Sequence, residues 1–414
     1  MAGRLEIARA FIRARRTRSW TPEQLRIHRD KHAVIGECPI ETALEFEKHF
    51  AERNILGMSI QEARAAANRE LAGLPPGVPG FSWGLSTGTM GTANLFLTSD
   101  QERQAWIGSV LGKILPLRLL AGSDVALVLK HNSRLYTEVS KTRSLRLHYF
   151  DAAAPVADWV DRLSCLTPRV LIGPPGVLQQ VALTAEFARR PLRPQLLLAG
   201  AEPLFPQDRT FLERAYAVAP RVIYQAKEGF LAAGCHSGRI HLNEDLIYFE
   251  ALPLDRGRYV PVITDFTRTS QRYRRFRLDD VLIAAPGQCG CGQAFASVSA
   301  VEGRANDVLF SGSERIYPLE INELMLPHLT GGGRVRDYCV TQVSTDQITV
   351  AVEGGTPPQL LEALAARLKP VQVSIEAYVP PAPGEKRRRV RRLFDLHNDW
   401  LSRFTVSRNV ISGV

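Results

Sequence analysis

Gln195-Leu196-Leu197-Leu198-Ala199-Gly200-Ala201-Glu202-Pro203 carries an unbroken apolar run into a glycine turn. A short apolar run closed in this way is the pattern of a strand buried on both faces. Its exit is the kind of strand end at which α/β proteins hold ligands. Working outward, apolar runs at 125–129, 170–172 and 222–224 read as further buried strands. Helical patterns at 176–189 and 206–217 lie between them, and this alternation predicts α/β layers.

Upstream, residues 20–72 read as helices ending near Leu74-Pro75-Pro76-Gly77-Val78-Pro79-Gly80, a stretch of turn formers. Downstream, 258–299 has shorter strands rich in Val, Ile and Tyr with polar turns, which predicts a β-rich subdomain. A polar segment at 303–312 reads as a boundary. Beyond it, a helix start at Pro318-Leu319-Glu320, strands at 337–343, 347–352 and 371–378, and a helix at 358–368 predict a small α+β module. A chain of 414 residues is too long for one ordinary core and suits two domains.

With 45% hydrophobic and 23% charged residues, the composition is far from that of disordered chains. Every apolar run breaks well short of the roughly 18 residues a membrane helix needs, so no membrane is expected. The formal charge of +10 favours anionic partners: nucleotides, phosphorylated cofactors or acidic carrier proteins. Only eight of the 52 basic residues are lysine. Arginine is the better bidentate ligand for phosphate and carboxylate, although an arginine-rich genome gives the same count without function. Arg4, Arg9, Arg13, Arg15, Arg16 and Arg18, among Leu5, Ala8, Phe11 and Ile12, predict a basic amphipathic helix without an apolar signal core. Six cysteines are too few for a disulfide framework and suit a reducing, cytoplasmic setting.

Several stretches hold side chains that phosphate chemistry uses. Ser86-Thr87-Gly88-Thr89-Met90-Gly91-Thr92 alternates hydroxyls with glycines, which allows backbone N–H groups and hydroxyls to surround phosphate oxygens, although it is not a P-loop. Tyr224-Gln225-Ala226-Lys227-Glu228-Gly229 leaves another apolar run; a tyrosine can stack on a base and a glutamate can hold Mg²⁺ beside phosphates. Thr264-Asp265-Phe266, Arg275-Phe276-Arg277-Leu278-Asp279-Asp280 and Gly303-Arg304-Ala305-Asn306-Asp307 set carboxylates and arginines in loops. A carboxylate there can accept both hydroxyls of a ribose. Taken singly, each is equally an ordinary strand exit or a solvated charge run.

Taken in this order, the stretches resemble the adenylate-forming ligases, most closely the phenylacetate–coenzyme A ligase branch and its coenzyme F390 synthetase-like relatives. The resemblance spans residues 80 to 390 and includes the Cys-x-Cys-Gly element at Cys289. It implies a large N-terminal adenylation domain over 1–304 and a small, mobile C-terminal lid over 305–414. Ser86, Thr87, Gly88, Thr89, Gly91 and Thr92 would wrap the β- and γ-phosphates of ATP. Gly200, Ala201 and Glu202 would border the adenine, with Tyr224 stacked on it. Glu228 would bind Mg²⁺ and Asp280 the ribose hydroxyls. Arg304 would lie near the hinge and nucleotide, with Asn306 and Asp307 where the lid swings. Lys386, in Pro383-Gly384-Glu385-Lys386, matches the lysine brought to the carboxylate and α-phosphate, where Mg²⁺ and an ammonium stabilise gathering negative charge.

The implied reaction is ATP-dependent activation of a carboxylic acid, aryl or arylacetic in this branch, to an acyl-adenylate. Transfer follows to the thiol of coenzyme A or to the phosphopantetheine of an acidic acyl carrier protein, with an amine acceptor as a variant. The chain departs from the pattern at Thr92, where many relatives have lysine, and at Met90, Lys227 and Phe276, which replace a hydroxyl residue, a threonine and a tyrosine. Lys227 would then supply the phosphate charge missing at position 92; lost or altered ATP use is the alternative. Tyr149 and Phe150 read as pocket-bordering or as core residues. A homodimer is compatible with all of this.

Cys235 and His241, with Cys289 and Cys291, form a Cys-x5-His and a Cys-x-Cys pair. Thiolates and imidazole are the ligands Zn²⁺ prefers, and four of them close a structural site. His236 in place of His241, free cysteines and a labile disulfide are the alternatives. Cys38, Cys165 and Cys339 read as packing residues. From another class, the scaffold would bind nucleotide or nucleic acid without catalysis, using Arg387, Arg388, Arg389, Arg391, Arg392 and the N-terminal arginines; nucleic acid is not the expected partner.

Overall fold

Residues 2–32, 38–86, 94–130, 145–329, 335–355, 357–394 and 399–407 are described by a computed structural model. The apolar runs become β3 (Ser123–Leu129), β5 (Val170–Gly173), β6 (Leu196–Gly200) and β7 (Arg221–Ala226), which pair in parallel, with β4 (Leu145–Asp151) added at the edge beside β3. They are apolar throughout because the sheet is covered on both sides. Val125 and Leu127 enter one core cluster while Ala126 and Val128 enter another, and Leu198 and Leu197 divide in the same way.

After β7 the sheet turns antiparallel. It continues through β8 (Gly229–Gly234), β9 (Ile240–Leu242), β14 (Ser297–Arg304), β13 (Asp280–Ala284), β11 (Arg258–Asp265) and β10 (Ile247–Pro253), and with the short β12 (Phe276–Arg277) it has twelve strands. This is the β-rich subdomain expected from 258–299.

The basic N-terminal helix α1 (Ala2–Thr17) packs along the helix Asp100–Ile114. Gly108 and Gly112 permit the approach: a Cβ on Gly108 would stand 2.2 Å from the Ile7 carbonyl oxygen. The second helix begins in a capping box, in which Ser99 Oγ accepts from Glu102 N at 3.2 Å and Glu102 Oε2 accepts from Ser99 N at 2.9 Å.

A 3₁₀ turn, Ala305–Asp307, follows β14 and leads to a second core. There β17 (Asp337–Gln342), β18 (Gln347–Glu353), β19 (Gln372–Glu376) and β20 (Val390–Arg392) form a sheet of order β19-β18-β17-β20, packed with helices Pro318–Leu329 and Pro358–Arg367. The chain then returns. Trp400 and Leu401 pack with Leu252, Val260 and Val281 of the large sheet and with Ala305 and Val308 beside the turn. Ser407 and Ala251 exchange backbone hydrogen bonds of 2.7 and 3.0 Å. No helix among the described residues is long and apolar enough to cross a membrane.

Candidate active site

A cavity of about 850 Å³ opens where β7, β11 and β13 meet the helix Asp100–Ile114. Tyr224, Lys227, Glu228, Asp280, Arg304 and Lys386 all line it, with Ala201 and Glu202 at the wall. Strand pairing explains much of this. Ala226 pairs with Gly229, so Lys227 and Glu228 are the two turn residues of the β7–β8 hairpin. Asp280 pairs with Arg304 across β13 and β14, and Arg304 Nε lies 3.9 Å from Asp280 Oδ1. The Tyr224 hydroxyl donates to Asp280 Oδ2 at 2.6 Å.

Glu228 is 6% exposed, and burial pushes its carboxyl above the ordinary range. The Lys227 ammonium, 3.7 Å from Glu228 Oε1, opposes that rise. A buried carboxylate facing a cavity and only partly neutralised is a fitting ligand for a divalent cation. At the β6 exit Ala201 adopts φ +68°, and a Cβ on Gly200 would approach the Ile223 carbonyl oxygen at 3.3 Å. The Glu202 carboxylate accepts from Gly176 N at 3.1 Å and from Arg387 N at 2.9 Å.

That second bond is one of several that hold the residues after Lys386. Arg387 donates to Gln179 Oε1 at 2.6 Å and to Asp208 Oδ2 at 2.9 Å. Arg389 donates to the same Asp208 oxygen at 2.7 Å and to Asp337 Oδ1 at 2.6 Å. Asp208 is fully buried, and its Oδ1 accepts from Gln179 at 2.7 Å. Arg388 Nε donates to Asp307 at 3.1 Å and Arg391 Nε to Thr341 Oγ1 at 3.0 Å. The basic run is therefore an internal interface. This corrects the reading of its arginines as a nucleic-acid contact patch. Burial, and next Arg304, hold the Lys386 ammonium below the ordinary lysine range, with Asp280 and Glu202 opposing.

Ser86 ends the strand Phe81–Ser86, while Thr87, Gly88, Thr89, Gly91 and Thr92 lie outside the described residues. Phe150 is a core residue and the Tyr149 hydroxyl donates to the Leu129 carbonyl; neither lines the cavity. Spacing gave no signal for Gln179, Asp208 or Asp337, which meet their arginines only in three dimensions.

A second cluster is formed by Cys235, His241, Cys289 and Cys291, whose ligand atoms all lie within 4.8 Å of one another. Cys235 Sγ is 3.6 Å from Cys289 Sγ, and Cys291 Sγ is 3.2 Å from His241 Nε2. His241 Nδ1 lies 3.0 Å from the Phe295 carbonyl, an acceptor that keeps the proton on Nδ1 and turns the Nε2 lone pair to the sulfurs. Arg239 braces the Cys-x-Cys loop through the Pro286 and Gly287 carbonyls, at 2.7 and 2.6 Å. The donor set and spacing fit a closed tetrahedral zinc site. His236 is exposed and outside the cluster, and Cys165, expected to pack, is exposed as well.

No family model matches the chain, and no curated protein matches it. The fold is that of the adenylate-forming ligases. Among solved structures, 2-hydroxyisobutyryl-CoA ligase in the postadenylation state, in complex with R3-HIB-AMP, is similar with a TM-score of 0.61 and 18% identity, over 86% of this chain and 80% of that one. The amide bond synthetase McbA from Marinactinospora thermotolerans is similar with a TM-score of 0.55 and 15% identity, over 76% and 69%. ATP-bound MatB from Rhodopseudomonas palustris gives 0.53 and 15%, over 75% and 66%.

Proposed function

We propose that the chain is an adenylate-forming acid–thiol ligase of the phenylacetate–coenzyme A ligase branch. The observation that carries this reading is Lys386, delivered from the C-terminal module into the cavity that holds Tyr224, Glu228, Asp280 and Arg304. ATP supplies the α-phosphate, and Mg²⁺ neutralises phosphate charge when bound. Residues 1–304 bind nucleotide and acid, and the module that begins at 305 forms the lid, except that 400–407 return to the large sheet. Ser86, Thr87, Gly88, Thr89, Gly91 and Thr92 cradle phosphates, helped by the Lys227 ammonium. Gly200, Ala201 and Glu202 border the adenine beside Tyr224. Asp280, oriented by the Tyr224 hydroxyl, takes the ribose hydroxyls, while Arg304 flanks it. Glu228 holds Mg²⁺. The Lys386 ammonium meets the charge that gathers as a carboxylate attacks the α-phosphate.

Phe96, Trp106, Phe230 and Ile247 on the cavity wall support an aryl or arylacetic acid. Arg9 and Arg13 of α1 line the same cavity and suit the phosphates of coenzyme A or of a carrier-protein phosphopantetheine. Cys235, His241, Cys289 and Cys291 hold structural zinc.

Pyrophosphate release with ATP, Mg²⁺ and a panel of aryl, arylacetic and fatty acids tests the reading. Release that needs one acid class and drops at least about 100-fold in Lys386→Ala is the expected result. Equal release from the variant, or ATP binding with no acid-dependent release, overturns it.

A further inference from the structure

Asp265 ends β11 on the cavity wall, and nucleotide handling gives it no task. It is 8% exposed. Its Oδ1 accepts from Thr267 N and Thr267 Oγ1, both at 2.6 Å. Its Oδ2 takes no hydrogen bond or ion pair from any described residue. That oxygen faces Gly229, where a Cβ would stand 3.0 Å from it and 3.4 Å from Ile247 Cδ1. Glycine thus leaves open a corner with a carboxylate oxygen on one side and an aliphatic wall on the other.

The nearby cation does not close the corner. Arg268 spends its two terminal nitrogens on the carbonyls of Lys227 and Leu97. Burial pushes the Asp265 carboxyl up, against the Thr267 hydrogen bond and the Arg268 charge. That oxygen opens on the cavity; an acid that fills the cavity shuts water away from it, which is costly unless the acid itself supplies a donor.

We propose that Asp265 is a specificity determinant whose Oδ2 accepts a hydrogen bond from an amino or hydroxyl group carried by the acid substrate. The inference rests on reading this cavity as the acid site. It narrows the substrate class from aryl or arylacetic acids in general to those bearing a hydrogen-bond donor.

The test is calorimetric binding of matched acids to the full chain and to Asp265→Asn. The probes are benzoate with its amino and hydroxy derivatives, and phenylacetate with its own. In the variant, Thr267 keeps the amide oxygen as its acceptor, so the amide NH₂ faces the corner and cannot accept. Wild type should bind at least one donor-bearing acid about 10- to 100-fold more tightly than its parent, and the variant should lose that preference while keeping its melting temperature. The amino and hydroxy arms tell the two donors apart. Equal binding of donor-bearing and parent acids by wild type, or equal weakening of both by the substitution, sinks the proposal. Pyrophosphate is followed in parallel samples that also receive ATP and Mg²⁺: an Asp265-dependent preference without release there upholds this site and overturns the ligase reading.

Discussion

An ammonium stabilises an attacking carboxylate and a phosphate only while it is charged. Lys386 is held below the ordinary lysine value of 10.5 by burial and by Arg304. A lowered pKa means that the charge, and the rate it supports, is present at lower pH and is lost as pH rises through that lowered value. The pH–rate profile of pyrophosphate release should therefore fall on its alkaline side earlier than an exposed lysine would allow. Lys386→Arg, whose side chain stays protonated, should retain some rate and push that limb to higher pH. An unchanged limb in the arginine variant would assign it to another group. Tyr224 and Asp280 were separately legible in the sequence as base-stacking and ribose-binding candidates. Their 2.6 Å bond was not, since it depends on how β7 and β13 are placed in the sheet.

The zinc-type cluster belongs to three pieces of chain: the β8–β9 turn, β9 itself and the loop between β13 and β14. Its ligands were readable from residue type and spacing, because the Cys-x-Cys pair and its glycines are local in sequence. The choice of His241 over His236 needed strand geometry: His241 pairs with Ser297 and Ala233 inside the sheet, whereas His236 sits at the exposed turn. Purified protein should carry about one equivalent of zinc, and chelation or Cys291→Ser should lower its melting temperature by at least about 5 °C, measured by thermal unfolding. Metal content below half an equivalent with an unmoved melting temperature would leave the cluster as packed thiols. The parallel strands were legible for a similarly local reason, since an all-apolar run has few alternatives to a strand buried on both faces. The Ser86–Thr92 segment was equally plain as a motif, but only Ser86 falls within a described strand.

At the scale of the whole molecule, the C-terminal core meets the large sheet through an apolar cluster around Trp400 and Leu401 and through buried charges. Asp208 joins Arg387 and Arg389 across 179 and 181 residues of sequence, a separation at which no local pattern announces a partner. Asp208→Asn should lower adenylation by about 10- to 100-fold, the loss expected when charge-assisted hydrogen bonds are weakened. Conversion of supplied acyl-adenylate to thioester should be spared, because that step does not require Lys386 at the α-phosphate. Half-reaction assays check this, and equal loss in both halves would reduce Asp208 to a folding role. The returning tail has a separate consequence. Since Ser407 is stitched to Ala251 and Trp400 packs beside the 305–307 turn, a reporter fused beyond residue 407 rides with the large sheet. Paired with a dye on the large module it would be blind to the proposed rotation of the C-terminal module; paired with one on exposed Gln359 of the helix Pro358–Arg367, it becomes a test of whether that module moves.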